Sequence, residues 1–359
     1  MRVLITGICG FVGSTLAKGF AELNLATEII GIDNFSRAGS ELNRRPLKEL
    51  GINVISGDIR CASDVESLPA VDWVIDAAAI PSVLAGIDGK TSSRQLVEHN
   101  LLGTINLCEY CKRHNAGFVL LSTSRVYSIA PLAEIPMLVK NKAFEPDFSS
   151  NLLPAGISQF GVSEQFSTVP PVSLYGSTKV ASEHLVLEYS SSFGFPAWIN
   201  RCGVMAGAGQ FGHPAQGIFA YWIHSFRERK PLKYIGFGGT GYQVRDCLHP
   251  RDLVYLLREQ FVTPQSSDAN CDRVFNVGGG IQSSISLAQL TEWCENRFGP
   301  MTIVSDTISR RFDIPWMVLD VTEVHKKWSG WKRDTSIADI LEEIAEFSLD
   351  NPTWLVSSA

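Results

Sequence analysis

The chain lacks three things: a long hydrophobic run, a block of basic residues, and a second cysteine cluster to complement its one close pair. No apolar stretch in its 359 residues approaches the ~20 needed to cross a bilayer, so no membrane role is expected. Acidic residues outnumber basic ones, 37 Asp plus Glu against 31 Lys plus Arg, for a formal net charge of -6 at pH 7. No cluster of lysines and arginines offsets that balance, which argues against nucleic acid as a partner. The N-terminus enters an apolar run at once (Val3-Leu4-Ile5), with no charged segment or cleavage site ahead of it. The eight cysteines are scattered, and only Cys108-Glu-Tyr-Cys111, with His114 beyond, has a metal-like spacing. That run sits in a helical pattern with no second pair nearby, so it reads as reduced thiols in a reducing compartment, with no metal. What is present is a 45% hydrophobic, 19% charged chain that can bury a core. The expectation is a soluble, cytoplasmic, globular protein.

The first half alternates short apolar runs with helical stretches. Strands are expected at Val3 to Thr6, Glu28 to Asp33, Asn53 to Gly57, Trp73 to Ala77 and Phe118 to Ser122, with helices beginning near Phe11, Ser40, Ser63 and Arg94. The runs are continuous in hydrophobicity, as strands covered on both faces require. This order predicts an α/β fold: a Rossmann-type doubly wound parallel sheet, with a smaller mixed α/β substrate domain after it. Residues 1–201 read as the nucleotide-binding domain, carrying an insert at 128–171 near the active site that is rich in Pro, Ser and Phe and shows no sustained period. Residues 202–359 read mainly as the substrate domain, with some segments returning to the first.

Gly7-Ile-Cys-Gly10-Phe-Val-Gly13 lies between the first strand and the first helix. One glycine permits the turn, the next lets a pyrophosphate approach the backbone, and the last lets helix pack on strand; the helix N-terminus then faces the phosphates. Asp33 ends the second strand, where its carboxylate can accept hydrogen bonds from ribose hydroxyls and repel a 2′-phosphate. NAD is therefore favoured over NADP, although Arg37 nearby keeps NADP open. A second signal is Tyr175-Gly-Ser-Thr-Lys179 at the start of a helix, where residues four apart share a face. A tyrosine ionises near pH ~10, and a neighbouring ammonium favours its phenolate, which brings it toward use as a base. The third signal, Ser122-Thr-Ser-Arg-Val-Tyr127, stands at the carboxyl end of the fifth strand, where doubly wound sheets bind ligands.

Together these residues resemble the extended short-chain dehydrogenase/reductase superfamily, in its NAD-dependent nucleotide-sugar epimerase/dehydratase branch. Gly57-Asp-Ile-Arg60, Asn100-Leu-Leu-Gly103-Thr104 and Val244-Arg-Asp246 extend the likeness over most of the chain. Within the branch it is strongest to the CDP-paratose (CDP-tyvelose) 2-epimerases, through Asp33-Asn-Phe-Ser-Arg37, Gly209-Gln-Phe211 and Gly241-Tyr-Gln-Val-Arg-Asp246. Asp76-Ala-Ala-Ala79 departs from the pattern, with Asp where relatives often carry His. So do Ser128, which stands for a usual Gly, and Val204, which stands for Asn or Ser. The resemblance implies catalytic roles for Thr123, Tyr175 and Lys179. For NAD it implies Gly7, Gly10, Phe11, Val12, Gly13, Asp33, Asn34, Ser36 and Arg37, then Asp58 and Ile59, Ala77, Ala78 and Ala79, Asn100, Ser122, Tyr175 and Lys179. For a nucleotide-diphosphate sugar it implies Thr123, Ser124, Arg125, Gln210, Arg245 and Arg310, the arginines holding phosphate oxygens.

Dehydratases of the branch carry Thr-Asp-Glu, and decarboxylating relatives Thr-Ser-Glu, where this chain has Thr123-Ser-Arg125. Neither acid–base group is in place, so epimerisation by transient oxidation to a keto-sugar and hydride return to the opposite face is the expected reaction. The alternatives are a nucleotide-sugar reductase or dehydrogenase that releases NAD(H), and a non-catalytic NAD-binding regulatory subunit. Apolar positions on more than one face of Arg94 to His114 and Gly176 to Phe193, together with the resemblance, imply a homodimer built from those helices.

Overall fold

The computed structural model describes residues 1–89, 91–213, 216–265 and 272–357. The chain divides into two compact units. The first comprises Met1–Val126, Leu174–Arg201 and Pro250–Phe275; the second comprises Tyr127–Ser173, Cys202–His249 and Asn276–Ala359. The 128–171 segment, read from sequence as an insert of the nucleotide domain, thus falls in the second unit. Part of the C-terminal half, Pro250–Phe275, falls in the first.

The first unit is built on the strands β1 (Arg2–Thr6), β2 (Glu28–Asp33), β3 (Asn53–Ser56), β4 (Trp73–Asp76) and β5 (Gly117–Thr123), paired in parallel. With Ala197–Cys202 and Val274–Val277 they form a seven-stranded sheet in which β3, β2 and β1 run outward on one side, and β4, β5 and the two later strands on the other. The order reverses between β1 and β4, and in such sheets ligands bind at the carboxyl ends beside that reversal. Val3, Leu4 and Ile5 of β1, Val74 and Ile75 of β4, and Phe118 to Leu120 of β5 are fully buried. That explains why these strands read as unbroken apolar runs.

Helix α1 (Phe11–Glu22) follows β1 directly. Between β4 and β5 the chain is helical from Ser93 to His114, but Glu98–Leu102 takes π-helical spacing. The extra residue in that turn carries Asn100 into the interior, 1% exposed. Its amide accepts from Ile80 N–H at 2.8 Å and donates to the Ile80 carbonyl at 3.2 Å, fixing the loop after β4.

In the second unit the segment that showed no period in sequence is ordered as small elements. These are a short helix, Ile129–Ala133, a hairpin of Met137–Lys140 with Ala143–Pro146, and a hairpin of Ile157–Ser158 with Gly161–Val162. The first turn places Asn141 and Lys142 at positive φ, the backbone a two-residue hairpin turn demands. Val162 N–H donates to the Val318 carbonyl, and Asp320 N–H donates back to the Val162 carbonyl, so the second hairpin is stitched to the C-terminal part of the chain. The unit has its own core, with Phe219, Trp222, Ile223 and Phe226 of one helix against Ile340, Leu341 and Ile344 of another. Seven described cysteines are free thiols, six of them buried; Cys271 lies outside the described residues. Among the described residues no cluster of metal ligands occurs.

Candidate active site

The glycine turn is set by contact distances. Gly7 has φ +59, and a Cβ there would stand 3.0 Å from Ala78 Cα, so the loops after β1 and β4 touch at the point where the strand order reverses. A Cβ on Gly13 would lie 2.3 Å from the Gly7 carbonyl and 2.8 Å from Ile8 Cα. No side chain caps α1, so the N–H groups of Phe11, Val12 and Gly13 are not taken by a cap. A tight turn, a bare helix N-terminus and no room for side chains together fit a dinucleotide pyrophosphate.

Thr6, at the end of β1, lies in register with Asp76, at the end of β4. Its hydroxyl donates to Asp76 (2.8 Å) and accepts from the N–H groups of Ala77 and Ala78 at 3.1 and 3.0 Å. Thr104 donates to the other Asp76 oxygen at 2.9 Å. Asp76 therefore ties Thr104 to the Thr6 hydroxyl, which in turn holds the Ala77 and Ala78 N–H groups.

Asp33 ends β2 and accepts from Cys9 N–H at 2.9 Å and Phe35 N–H at 2.8 Å. Burial pushes its carboxyl above the usual range, against the pull of those N–H bonds. Asn34 donates to Asp58 at 3.0 Å and accepts from Ser36 N–H. Burial alone would raise Asp58, but the Arg60 fork and the Asn34 amide outweigh it and hold the carboxyl well below its ordinary value. Arg37 is half-buried. Ile59, in the expected cofactor set, turns its side chain into the core, and its carbonyl accepts from Asn106.

The carboxyl end of β5 carries Ser122, Thr123, Ser124 and Arg125. Thr123 Oγ1 accepts from Arg125 N–H at 3.2 Å. The Ser122 hydroxyl donates to Glu183 at 2.5 Å and so is committed within the protein. Tyr175 lies in the first turn of the Ser173–Phe193 helix, 6% exposed, and Lys179, 1% exposed, donates to the Leu121 carbonyl at 3.2 Å. Sequence reading missed Thr6, Thr104, Glu183 and Arg201. The visible signals were the strand-end position of Thr6, the place of Thr104 at the end of the Asn100-Leu-Leu-Gly103-Thr104 motif, and the four-residue spacing of Glu183 from Lys179.

Gln210, Arg245 and Arg310 all lie in the second unit. Gln210 donates to the Met205 carbonyl at 2.6 Å. Arg245 is held by Asp313 at 3.0 Å and by the carbonyls of Val244 and Ile314. Arg310 is exposed, in a turn where Phe312 takes φ +65.

The doubly wound sheet and its glycine turn define a dinucleotide-binding protein. The model of the NAD dependent epimerase/dehydratase family matches residues 3–278, and the chain belongs to that family. It is an enzyme of that family, with NAD as its cofactor. Among similar proteins, CDP-paratose 2-epimerase of Salmonella typhi is 31% identical over 304 residues, covering 82% of this chain and 84% of its own. A probable dTDP-glucose 4,6-dehydratase of Sinorhizobium fredii is 25% identical, with 99% and 94% covered. The structure of UDP-glucuronic acid 4-epimerase from Bacillus cereus, in complex with UDP-glucuronic acid and NAD, superposes with a TM-score of 0.76 at 24% identity, covering 98% of this chain and 99% of that one.

Proposed function

We propose that the protein is a cytoplasmic nucleotide-sugar epimerase, with CDP-paratose or a related CDP-sugar as the first substrate to test. The observation that carries this reading is the set Thr123-Ser124-Arg125 with Tyr175 and Lys179. It offers a base and a hydroxyl but no carboxyl group at 124 or 125 for eliminating water or carbon dioxide. The similarity to a CDP-paratose 2-epimerase supports it, while the similarity to dehydratases makes elimination the competing chemistry.

Bound NAD supplies a hydride acceptor and donor, so a carbinol can become a ketone and return with no net redox change. The chain's own residues supply the rest. Gly7, Gly10 and the first turn of α1 hold the pyrophosphate, Asp33 reads the ribose, and Asp58 with Asn34 borders the adenine. Tyr175 takes the proton of the sugar hydroxyl and gives it back, Lys179 stabilises the phenolate, and Thr123 orients the reacting oxygen. Ser124 and Arg125 contact the sugar.

The test is a panel of CDP-, UDP- and dTDP-sugars followed by NMR. An epimerase yields an isomer without added reductant. A dehydratase yields a 4-keto-6-deoxy sugar, a reductase consumes NADH stoichiometrically, and a regulatory subunit changes none of them.

Asp33→Asn is expected to weaken NAD and raise the relative affinity for NADP, because the charge that repels a 2′-phosphate is gone. Titrating both cofactors checks it; an unchanged affinity ratio would assign ribose reading to another residue, with Arg37 the first to examine.

We further propose a homodimer. Val97 and Leu102 are 41% and 39% exposed on the first of the two expected helices, and Leu101, Ile105, Val180 and Leu185 are only half-covered by their own chain, whereas Leu96, Leu107 and Val186 are buried within it. A second copy is the commonest partner for such a stripe. Sedimentation should give about twice 39.4 kDa, and Leu102→Glu should move the mass to that of one chain. A concentration-independent single-chain mass for the unchanged protein would remove the dimer.

A further inference from the structure

In the first unit, the helical stretch from Ser93 to His114 packs one face against the loop that follows β3, and its contacts fix which face. The Asn106 side-chain amide donates to the Ile59 carbonyl at 2.7 Å. One turn earlier, a Cβ on Gly103 would stand 2.5 Å from Ile59 Cδ1, so helix and loop touch there. One turn earlier again comes His99, inside the π-helical turn that sends its neighbour Asn100 into the interior. His99, Gly103 and Asn106 thus share a face, with His99 at the end of it that meets Asp58 and Arg60. The His99 ring is half-buried, and the charges of Arg60, Asp58 and Glu98 all act on it.

We propose that His99 makes cofactor binding proton-linked: neutral, it forms a wall of the adenine pocket beside Asp58, and protonated, it weakens the hold on NAD. The inference rests on the reading that Asp58 and Asn34 border the adenine. Adenine is uncharged near neutral pH, so it offers an imidazolium no counter-charge, and its arrival displaces water that an imidazolium needs. Arg60 is already a cation in place, donating to Asp58 from Nε at 3.0 Å and Nη2 at 2.6 Å. A second cation beside it is repelled. Linkage is reciprocal: a ligand that disfavours a proton is disfavoured by that proton to the same extent.

The NAD-free protein already leans this way. Burial, and then the Arg60 charge, hold the pKa of His99 below its ordinary value, against the smaller pull of Asp58 and Glu98. The charged groups that face the ring keep their charge while it titrates. Despite its burial, Asp58 is held well below the usual carboxylate range by Arg60 and Asn34, and Asp58 in turn raises Arg60. Glu98 is bonded to Arg94 at 2.6 Å, and Asp64 accepts from Asp58 N–H at 2.8 Å. Asp33, on the ribose side, is different. Its burial pushes it up, so it too can take a proton in acid, and its share has to be subtracted. With the His99 pKa lowered in the free protein and lowered further beside adenine, NAD affinity is full above the free value and falls as pH drops through it.

The experiment is calorimetric titration of the full-length protein with NAD, and with ADP-ribose, which keeps the adenine half. It runs from about pH 7.5 down to about pH 5.5, across the ordinary histidine range, in two buffers of unlike ionisation heat, so that protons released on binding are counted. The unchanged protein is expected to lose about tenfold in affinity for either ligand over that span, and to release protons as it binds at the acid end. His99→Gln should release fewer protons and show a shallower fall, and what remains in it is the share of Asp33. Equal proton release by His99→Gln and the unchanged protein overturns the proposal. So does no release from the unchanged protein, or proton uptake, which an imidazolium drawn to the pyrophosphate would give. If His99→Gln does not fold, His99→Asn takes its place, and the sign of the proton count in the unchanged protein needs no variant. Asp58→Asn separates the inference from the reading beneath it. Unchanged ADP-ribose affinity in that variant takes the adenine away from Asp58, and the proposal with it. A weaker hold on ADP-ribose, with equal proton release from His99→Gln and the unchanged protein, removes only the role of His99.

Discussion

Tyr175→Phe is expected to lower turnover by about a hundredfold or more, with NAD and nucleotide-sugar affinity close to that of the unchanged protein. The substitution deletes one oxygen and keeps the ring, so a side chain that is 6% exposed leaves no cavity behind it. Lys179 is anchored on the Leu121 carbonyl, Thr178 on the Tyr175 carbonyl, and Ser182 on the Asn100 carbonyl. What goes is the atom proposed to take and return the proton. A loss confined to kcat, with KM and bound NAD unchanged, is the signature of an interaction made only as the reaction proceeds. Near-normal turnover in a folded variant would take Tyr175 out of the chemistry.

The strands that carry the site were readable because the sheet buries both faces of each. Val3-Leu4-Ile5 and Phe118-Val-Leu-Leu121 cannot be anything that water wets. The glycine turn was readable because steric exclusion leaves no other residue type at Gly13. The 128–171 segment resisted for the opposite reason. Its strands are two to four residues long, from the largely exposed Met137–Lys140 to the buried Gly161–Val162, too short for an alternation to show. The π-helical turn at Glu98–Leu102 was equally hidden, since a search at the α-helical period passes over one added residue. Asp76 looked like a departure from its relatives. Its meaning appears only when Thr6 stands opposite in register and Thr104 arrives from a helix 28 residues later. Glu183 lay in plain view four residues beyond Lys179, but Arg201, whose guanidinium grips it, sits on another strand. Spacing along one helix cannot report a partner brought in by the sheet.

Gly13→Ala should be the most damaging single methyl group in the first unit, lowering NAD affinity at least tenfold and the melting temperature by several degrees. The added carbon would meet the Gly7 carbonyl at 2.3 Å and Ile8 Cα at 2.8 Å, both backbone, and neither can swing aside as a side chain could. To relieve the overlap, α1 must back away from the end of β1. Gly7 cannot follow freely, because it is held at φ +59 against Ala78, and its N–H donates to the Ile32 carbonyl. The turn therefore opens, and the N–H groups that begin α1 move off the position where a pyrophosphate would meet them. Gly330→Ala is the control: a Cβ there meets nothing within 4 Å, and neither binding nor stability should change. Calorimetric titration of NAD, with melting curves in its absence and presence, separates the two effects. A variant melting lower but binding NAD at full strength would place the phosphates away from this turn. One unchanged in both would mean that the backbone around Gly7 yields by more than half an ångström at little cost, which its contacts with Ala78 and Ile32 argue against.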